Sequence, residues 1–340
     1  MTEPIVPAAG VHLPWAQVPE SVQTWAALVG GGWPDRVRDL QGGFSPGAAA
    51  RLECPGRAVF VKAVGGELNP ESPMMHRREA VVSDALPASA MFPRLLDTYD
   101  DGAWVALAFE AIDGRLPRHP WEHRELMFAL EALGTMHDAL TPSPAPQLEP
   151  AAQYLRALFG GWAALAAMAE LPRALDPWAR RHLPKLVELE ERWPDAAAGP
   201  TLVHGDVRSD NILFTETGVV FVDWPHAAVG TSVIDLVEWA PSVVLEGGPE
   251  PEELLAAHRP SGAADPDVVT VLLAAVCGFF MSHSFRRLRR DSRRCAPFRR
   301  PRAPWRSPGS VAAPAGSRFG RDVAPLASVH ALRTPDPELL

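Results

Sequence analysis

The sequence predicts an α+β chain folded as two lobes, a β-rich one ending near residue 112 and a mainly helical one over 113–285, with an appended segment over 286–340. Length is the first reason: 340 residues exceed what one small core organises, and a hydrophobic share of 47% is enough to build two. The second is a change of period. Up to residue 112 the apolar residues gather in short runs of β-formers punctuated by Gly and Pro, and from Asp113 onward they recur at helical spacing. The third is a polar cluster, His204-Gly205-Asp206-Val207-Arg208-Ser209-Asp210-Asn211 with Asp223-Trp224 after it, set between extended apolar flanks.

Along the chain, Val37 to Gly47 followed by Ala48 to Cys54 reads as strand, glycine-rich loop and strand, with Gly42, Gly43 and Gly47 in the loop. Pro55-Gly56 turns the chain into Ala58–Val64, a run of β-formers that carries Lys62. His76 to Leu86 is compatible with a helix and holds Glu79, and Trp104 to Ile112 is the last strand of the small lobe. Glu122 to Leu140 then places Leu126, Leu130, Leu133, Met136 and His137 at helical spacing. Tyr154 to Leu171 and Pro177 to Trp193 read as two further helices. Thr201-Leu202-Val203 runs into the polar cluster and Ile212-Leu213-Phe214 runs out of it. Thr215 to Gly218 turns back into Val219–Val222, so that a hairpin carries Asn211 and Asp223 side by side. Val268 to Met281 is the most apolar helix, and its 14 residues are too few to span a bilayer. Trp121, Trp162, Trp178, Trp193 and Trp239 fall in the helical lobe, where core packing is the first use for most of them.

Composition bounds the partners. The amino terminus, Met1-Thr2-Glu3-Pro4, has neither the basic start nor the apolar run of a signal peptide, and Cys54, Cys277 and Cys295 are scattered without zinc or disulfide spacing. A cytoplasmic, reduced protein with no membrane role is expected. Residues 1–285 hold 19 basic against 37 acidic residues, whereas 286–340 hold 13 Arg against four acidic ones. An acidic body argues against DNA or RNA as the main partner and suits a cationic one. The segment from 286 is Arg- and Pro-rich and aperiodic, so it is expected either to be a disordered tail or to mark a reading-frame change.

The polar cluster carries the chemistry. Phosphoryl transfer needs a carboxylate to receive or orient the proton of the attacking hydroxyl, and hard oxygens to hold the metal that bridges the nucleotide phosphates. Asp206, Asn211 and Asp223 stand in the order and spacing of the catalytic Asp, the metal-holding Asn and the later metal-holding Asp of a protein-kinase catalytic loop.

With Gly205 where protein kinases have Arg, and Asp223-Trp224 in place of their Asp-Phe-Gly, the stretch from Val203 to Leu236 resembles the aminoglycoside phosphotransferase family, small-molecule kinases with a protein-kinase-like fold. That resemblance implies a small antiparallel-sheet ATP-binding lobe over 1–112 and a helical catalytic and substrate-binding lobe over 113–285. It implies an enzyme that uses ATP and Mg2+ to phosphorylate a hydroxyl of a small molecule, an aminoglycoside or another antibiotic among the candidates. Lys62 would hold the α- and β-phosphates, Glu79 would pair with Lys62, and the loop containing Gly42, Gly43 and Gly47 would cover the phosphates with backbone N–H groups. Only Lys62 and Lys185 are lysines, against 30 arginines, which fits a need for a compact point charge at residue 62. Backbone groups of Glu110, Ala111 and Ile112 would meet the adenine edge, Asp206 would be the catalytic carboxylate, and Asn211 and Asp223 would hold Mg2+.

His204, His137 and Asp235 are expected to shape and tie down the catalytic loop, and Gly205 to supply a backbone angle closed to other residues. Arg208 either touches the transferring phosphate or pairs with a neighbouring carboxylate. Glu246, Glu250, Glu252 and Glu253 form an acidic run that either receives a cationic acceptor or is simply solvated. No activation segment follows Asp223, which argues against a protein acceptor. The alternatives from other classes are a catalytically idle nucleotide-binding module, and surface or nucleic-acid association through the Arg-rich segment.

Overall fold

A computed structural model describes residues 13–40 and 47–294, with 286–294 described by backbone alone. Gly42 and Gly43 lie outside these residues, as does the expected disorder of the segment from 295 on.

The small lobe begins with helix α1 (Glu20–Gly30) and continues through β1 (Arg36–Asp39), β2 (Ala48–Glu53), β3 (Ala58–Gly65), α2 (Ser72–Ala85), β4 (Leu95–Asp100) and β5 (Trp104–Glu110). The strands form one antiparallel sheet in the order β1-β2-β3-β5-β4. The strand period of two divides β3 between two faces. Val59, Val61 and Ala63 join Val22 and Ala26 of α1 in one core, so Lys62 projects from the opposite face, where α2 lies.

The large lobe runs through α3 (His123–Ala139), α4 (Ala151–Tyr154), α5 (Gly161–Ala166), α6 (Pro177–Arg181), α7 (Leu183–Glu191), α8 (Trp193–Ala196), β6 (Thr201–Val203), β7 (Ile212–Phe214), β8 (Val219–Phe221), β9 (Ala228–Gly230), α9 (Val233–Leu245), α10 (Pro251–Ala257), α11 (Arg259–Gly262) and α12 (Pro266–Arg294). Two small ribbons sit among the helices: β7 pairs with β8 as the expected hairpin, and β6 pairs with β9. Helices α5, α7, α9 and α12 enclose one core, and α3, the β7–β8 hairpin and α9 enclose another.

Three expectations are corrected. Tyr154 to Leu171 is not one helix: the chain breaks at Gly160, at φ +110°, and restarts at Gly161. Gly161 crosses α12 so closely that a Cβ there would lie 1.9 Å from the Gly278 carbonyl oxygen. Pro177 to Trp193 is likewise divided, and α6, α7 and α8 each start with a proline in the first turn, a position that tolerates the missing N–H. The apolar helix is longer than its apolar run: Pro266–Phe285 has the length and hydropathy to cross a bilayer, but 72% of it is buried inside the fold. That helix continues to Arg294, past the break in composition near Phe285. Trp121, Trp162, Trp193 and Trp239 are core residues.

Candidate active site

The site lies where the sheet lobe meets the β7–β8 hairpin. Lys62 reaches from β3 to two carboxylates on different elements, donating to Glu79 of α2 at 2.8 and 3.0 Å and to Asp223 at 2.5 Å. Glu79 is buried, which without the ammonium would cost several kcal/mol. Burial alone would lower the Lys62 pKa, and Asp223 and Glu79 outweigh it and raise it, so the side chain stays cationic. Asp223 has φ +73°, a left-handed conformation that Asp tolerates better than most residues. Burial raises its pKa and Lys62 overrides that, holding it ionised below the ordinary carboxylate range.

The polar loop is pinned from below. Asp235, fully buried in the first turn of α9, accepts from the backbone N–H groups of His204 at 2.9 Å and Gly205 at 2.8 Å, and from His137 Nε2 at 2.8 Å. Burial pushes its pKa up, and the His137 hydrogen bond and neighbouring charges take it below normal. His204 Nε2 donates to the Val222 carbonyl at 3.0 Å, joining the loop to the residue before Asp223. Burial lowers the His204 pKa, so the ring is neutral and acts as a strut. Gly205 has φ +72°, and a Cβ there would stand 2.4 Å from the His226 carbonyl oxygen. These four residues stand as expected.

Asn211 donates through Nδ2 to the Asp206 carbonyl at 2.9 Å and approaches the Asp206 carboxylate at 3.5 Å. Val222 N–H donates to the Asn211 carbonyl at 3.0 Å, which sets Asn211 beside Asp223 across the hairpin. With Nδ2 committed to Asp206, the Asn211 side-chain oxygen is the atom left to serve as a ligand.

Other expected residues are placed differently. Arg208 bonds Asp210 bidentately and stands 3.9 Å from the Asp206 carboxylate, so the structure favours its pairing with carboxylates; burial works against its charge and Asp206 and Asp210 restore it. At the lobe junction two of the backbone groups expected to meet adenine are already used. Glu110 N–H donates to the Arg94 carbonyl at 3.0 Å, because β4 covers that edge of β5, and the Ile112 carbonyl accepts from Arg51 at 3.2 Å. Gly47 packs on β3, where a Cβ would come 2.6 Å from the Ala63 carbonyl oxygen. The acidic run divides: Glu246 turns inward to Ser209, whereas Glu250, at the N-cap of α10, and Glu253, in its first turn, are exposed to solvent, with Glu252 half-buried between them.

A cavity beside Asp206 is lined by Leu158, Phe159, Glu238, Phe279 and Phe280. Sequence reasoning missed this lining and also Arg78. Arg78 donates to the Ala227 carbonyl at 2.7 Å and lies 4.2 Å from the Tyr154 ring, and Tyr154 in turn bonds His226 at 2.9 Å. Its one signal was adjacency to Glu79.

Among solved structures, a thermostable mutant of aminoglycoside phosphotransferase APH(4)-Ia in a ternary complex with AMP-PNP and hygromycin B aligns with a TM-score of 0.57 at 13% identity, over 94% of this chain and all of that one. Spectinomycin phosphotransferase APH(9)-Ia with ADP and spectinomycin gives a TM-score of 0.52 at 13% identity, covering 79% of this chain and 88% of that one. Choline kinase LicA from Streptococcus pneumoniae gives 0.52 at 12%, covering 88% and 93%. Comparison with curated proteins gives no match. The fold is therefore protein-kinase-like. A family model described as the phosphotransferase enzyme family matches residues 36–267, from the first strand of the sheet to the start of the last helix, a span that includes the polar loop, and the chain belongs to this family.

Proposed function

We propose that the protein transfers the γ-phosphate of ATP to a hydroxyl of a small molecule. One observation carries the reading: Lys62 bridges Glu79 and Asp223 across the two lobes, on the same hairpin that sets Asn211 against Asp206. Lys62 would neutralise charge on the α- and β-phosphates, Glu79 holding it in place. The acceptor oxygen forms the new bond to phosphorus as the bond to the ADP oxygen breaks, and Asp206 orients the hydroxyl and receives its proton. Asn211 and Asp223 offer two hard oxygens, which suits Mg2+, an ion that takes few protein ligands and completes its shell with phosphate and water. When bound it would neutralise charge on the β- and γ-phosphates. The neighbouring structures with AMP-PNP and ADP support a nucleotide in this cleft.

The cavity beside Asp206 is the natural acceptor side. Its aromatic and aliphatic wall suits a molecule that has an apolar face, and the acidic body of the chain favours the approach of a cationic one. The test is ATP consumption across a panel of aminoglycosides, other hydroxyl-bearing antibiotics, amino alcohols and sugars. A compound that is turned over should lose about 10²–10⁴ in rate with Asp206→Ala while nucleotide affinity stays within a few-fold. Tight nucleotide binding with no turnover of any compound would favour the idle-module reading instead.

A further inference from the structure

Helix α9 touches the catalytic loop twice. At its first turn Asp235 takes the N–H groups of His204 and Gly205, and at its carboxyl end Glu246 accepts from Ser209 Oγ at 2.6 Å. Ser209 opens the single 3₁₀ turn, Ser209–Asn211, that delivers Asn211 to Asp206. The loop is therefore gripped on both sides of Asp206 by carboxylates of one helix.

Glu246 is itself fixed from the far side. Its second oxygen accepts from Trp121 Nε1 at 2.9 Å, its backbone carbonyl accepts from Trp121 N–H at 3.1 Å, and His119 Nδ1 stands 3.8 Å away. The next residue, Gly247, has φ +80°, and a Cβ there would lie 2.6 Å from the Pro120 side chain, so the end of α9 is wedged on the segment leading into α3. Trp121 packs edge-on against Trp239 of α9. A carboxylate with only about a fifth of its side chain exposed and both oxygens engaged is poorly placed to receive a cationic acceptor, the use its position in an acidic run suggested. Its geometry serves the loop.

We propose that Glu246 is a positioning residue for phosphoryl transfer, holding Ser209 so that the turn keeps Asn211 against Asp206. The inference rests on the phosphotransferase reading for its consequence in catalysis, and on geometry alone for the grip on the loop.

Two variants separate the grip from general stability. Ser209→Ala removes the donor at the cost of one oxygen atom. Glu246→Gln keeps both contacts, its oxygen accepting from Trp121 Nε1 and its amide donating to Ser209 Oγ, so it removes the charge and should leave exchange at 209–212 unchanged. Amide hydrogen exchange read over residues 205–214 needs no nucleotide. Faster exchange at 209–212 in Ser209→Ala, with exchange in α9 and α12 unchanged, is the expected result. Binding of a fluorescent ATP analogue titrated with Mg2+ gives the second readout. The Mg2+ concentration at half-saturation should rise about tenfold, the lower end of the cost of losing an outer-shell partner, and Ser209→Thr should restore it. Exchange at 209–212 in Ser209→Ala that matches wild type, or that rises equally throughout the large lobe, overturns the proposal. A wild-type protein that binds no nucleotide overturns the kinase reading, and the exchange comparison still decides whether Glu246 holds the loop.

Discussion

Lys62 converges on two carboxylates contributed by α2 and by the loop after β8, and a small ammonium with three donors fits that meeting point. A guanidinium is planar and larger, and cannot point donors at both carboxylates from the same position. Lys62→Arg is therefore expected to lose nucleotide binding nearly as fully as Lys62→Met, measured by displacement of a fluorescent nucleotide; retained affinity in the Arg variant would remove Lys62 from the site. A second residue can be tested without any ligand. Gly205→Ala forces both a left-handed φ and contact with the His226 carbonyl, whereas Gly102, at φ +86°, has open space where a Cβ would go. Both substitutions should cost the ~1–3 kcal/mol of a strained backbone, with Gly205→Ala the more destabilising of the two in urea denaturation. Equal costs would mean that the His226 contact relaxes freely.

Helix α2 has low amphipathicity as text, and its importance comes from what its ends and sides touch. Glu79 faces Lys62, while its neighbour Arg78 reaches across to the Ala227 carbonyl and lies over the Tyr154 ring, in the large lobe. A hydrogen bond from a charged donor is worth ~1.5–3 kcal/mol, and here it fixes the helix that positions Lys62. Arg78→Met should weaken nucleotide binding by about tenfold, equivalent to ~1.4 kcal/mol, through a looser Lys62–Glu79 pair. Calorimetric titration checks this. Unchanged affinity would show that α2 is held well enough by the sheet alone.

For the molecule as a whole, buried neutral histidines set a lower pH limit to stability. Burial pushes His76 down to about 4 and His258 down to about 3, the Lys62 ammonium adding to the first effect and His137 to the second. In the unfolded chain both would titrate near ~6.5. The unfolded state therefore binds more protons than the folded one between the two values. The stabilisation is fully present above the unfolded pKa and is lost as pH falls from there towards the folded values. At pH 5 the cost is about 2 kcal/mol for each residue. Thermal melts between pH 7.5 and 5 should show a falling midpoint, and His258→Asn should flatten that dependence. A midpoint independent of pH over this range would show that both rings protonate freely in the folded state.

The polar loop was legible in the sequence because Asp206 and Asn211 share one loop, and strand periodicity puts Lys62 opposite the α1 core, whereas the pairing of Glu79 with Lys62 and of Asp235 with the loop, which join separate elements, was expected only from the family resemblance. The β7–β8 hairpin was legible as the loop was, since its two strands and turn are contiguous. Three things were decided only when separate elements packed together. Glu246 read as one charge in an acidic run, and only the end of α9 meeting Ser209 and Trp121 turns it inward. The chain breaks at Gly160 through a left-handed φ, and beside it α12, more than a hundred residues away, leaves no room for a Cβ at Gly161. Arg78 carried no signal beyond its neighbour, because its partners Ala227 and Tyr154 lie in the other lobe. Local spacing and period are written in the chain, whereas the contacts that close a buried site join residues distant in sequence, and burial, which gives those contacts their strength, exists only once both lobes are in place.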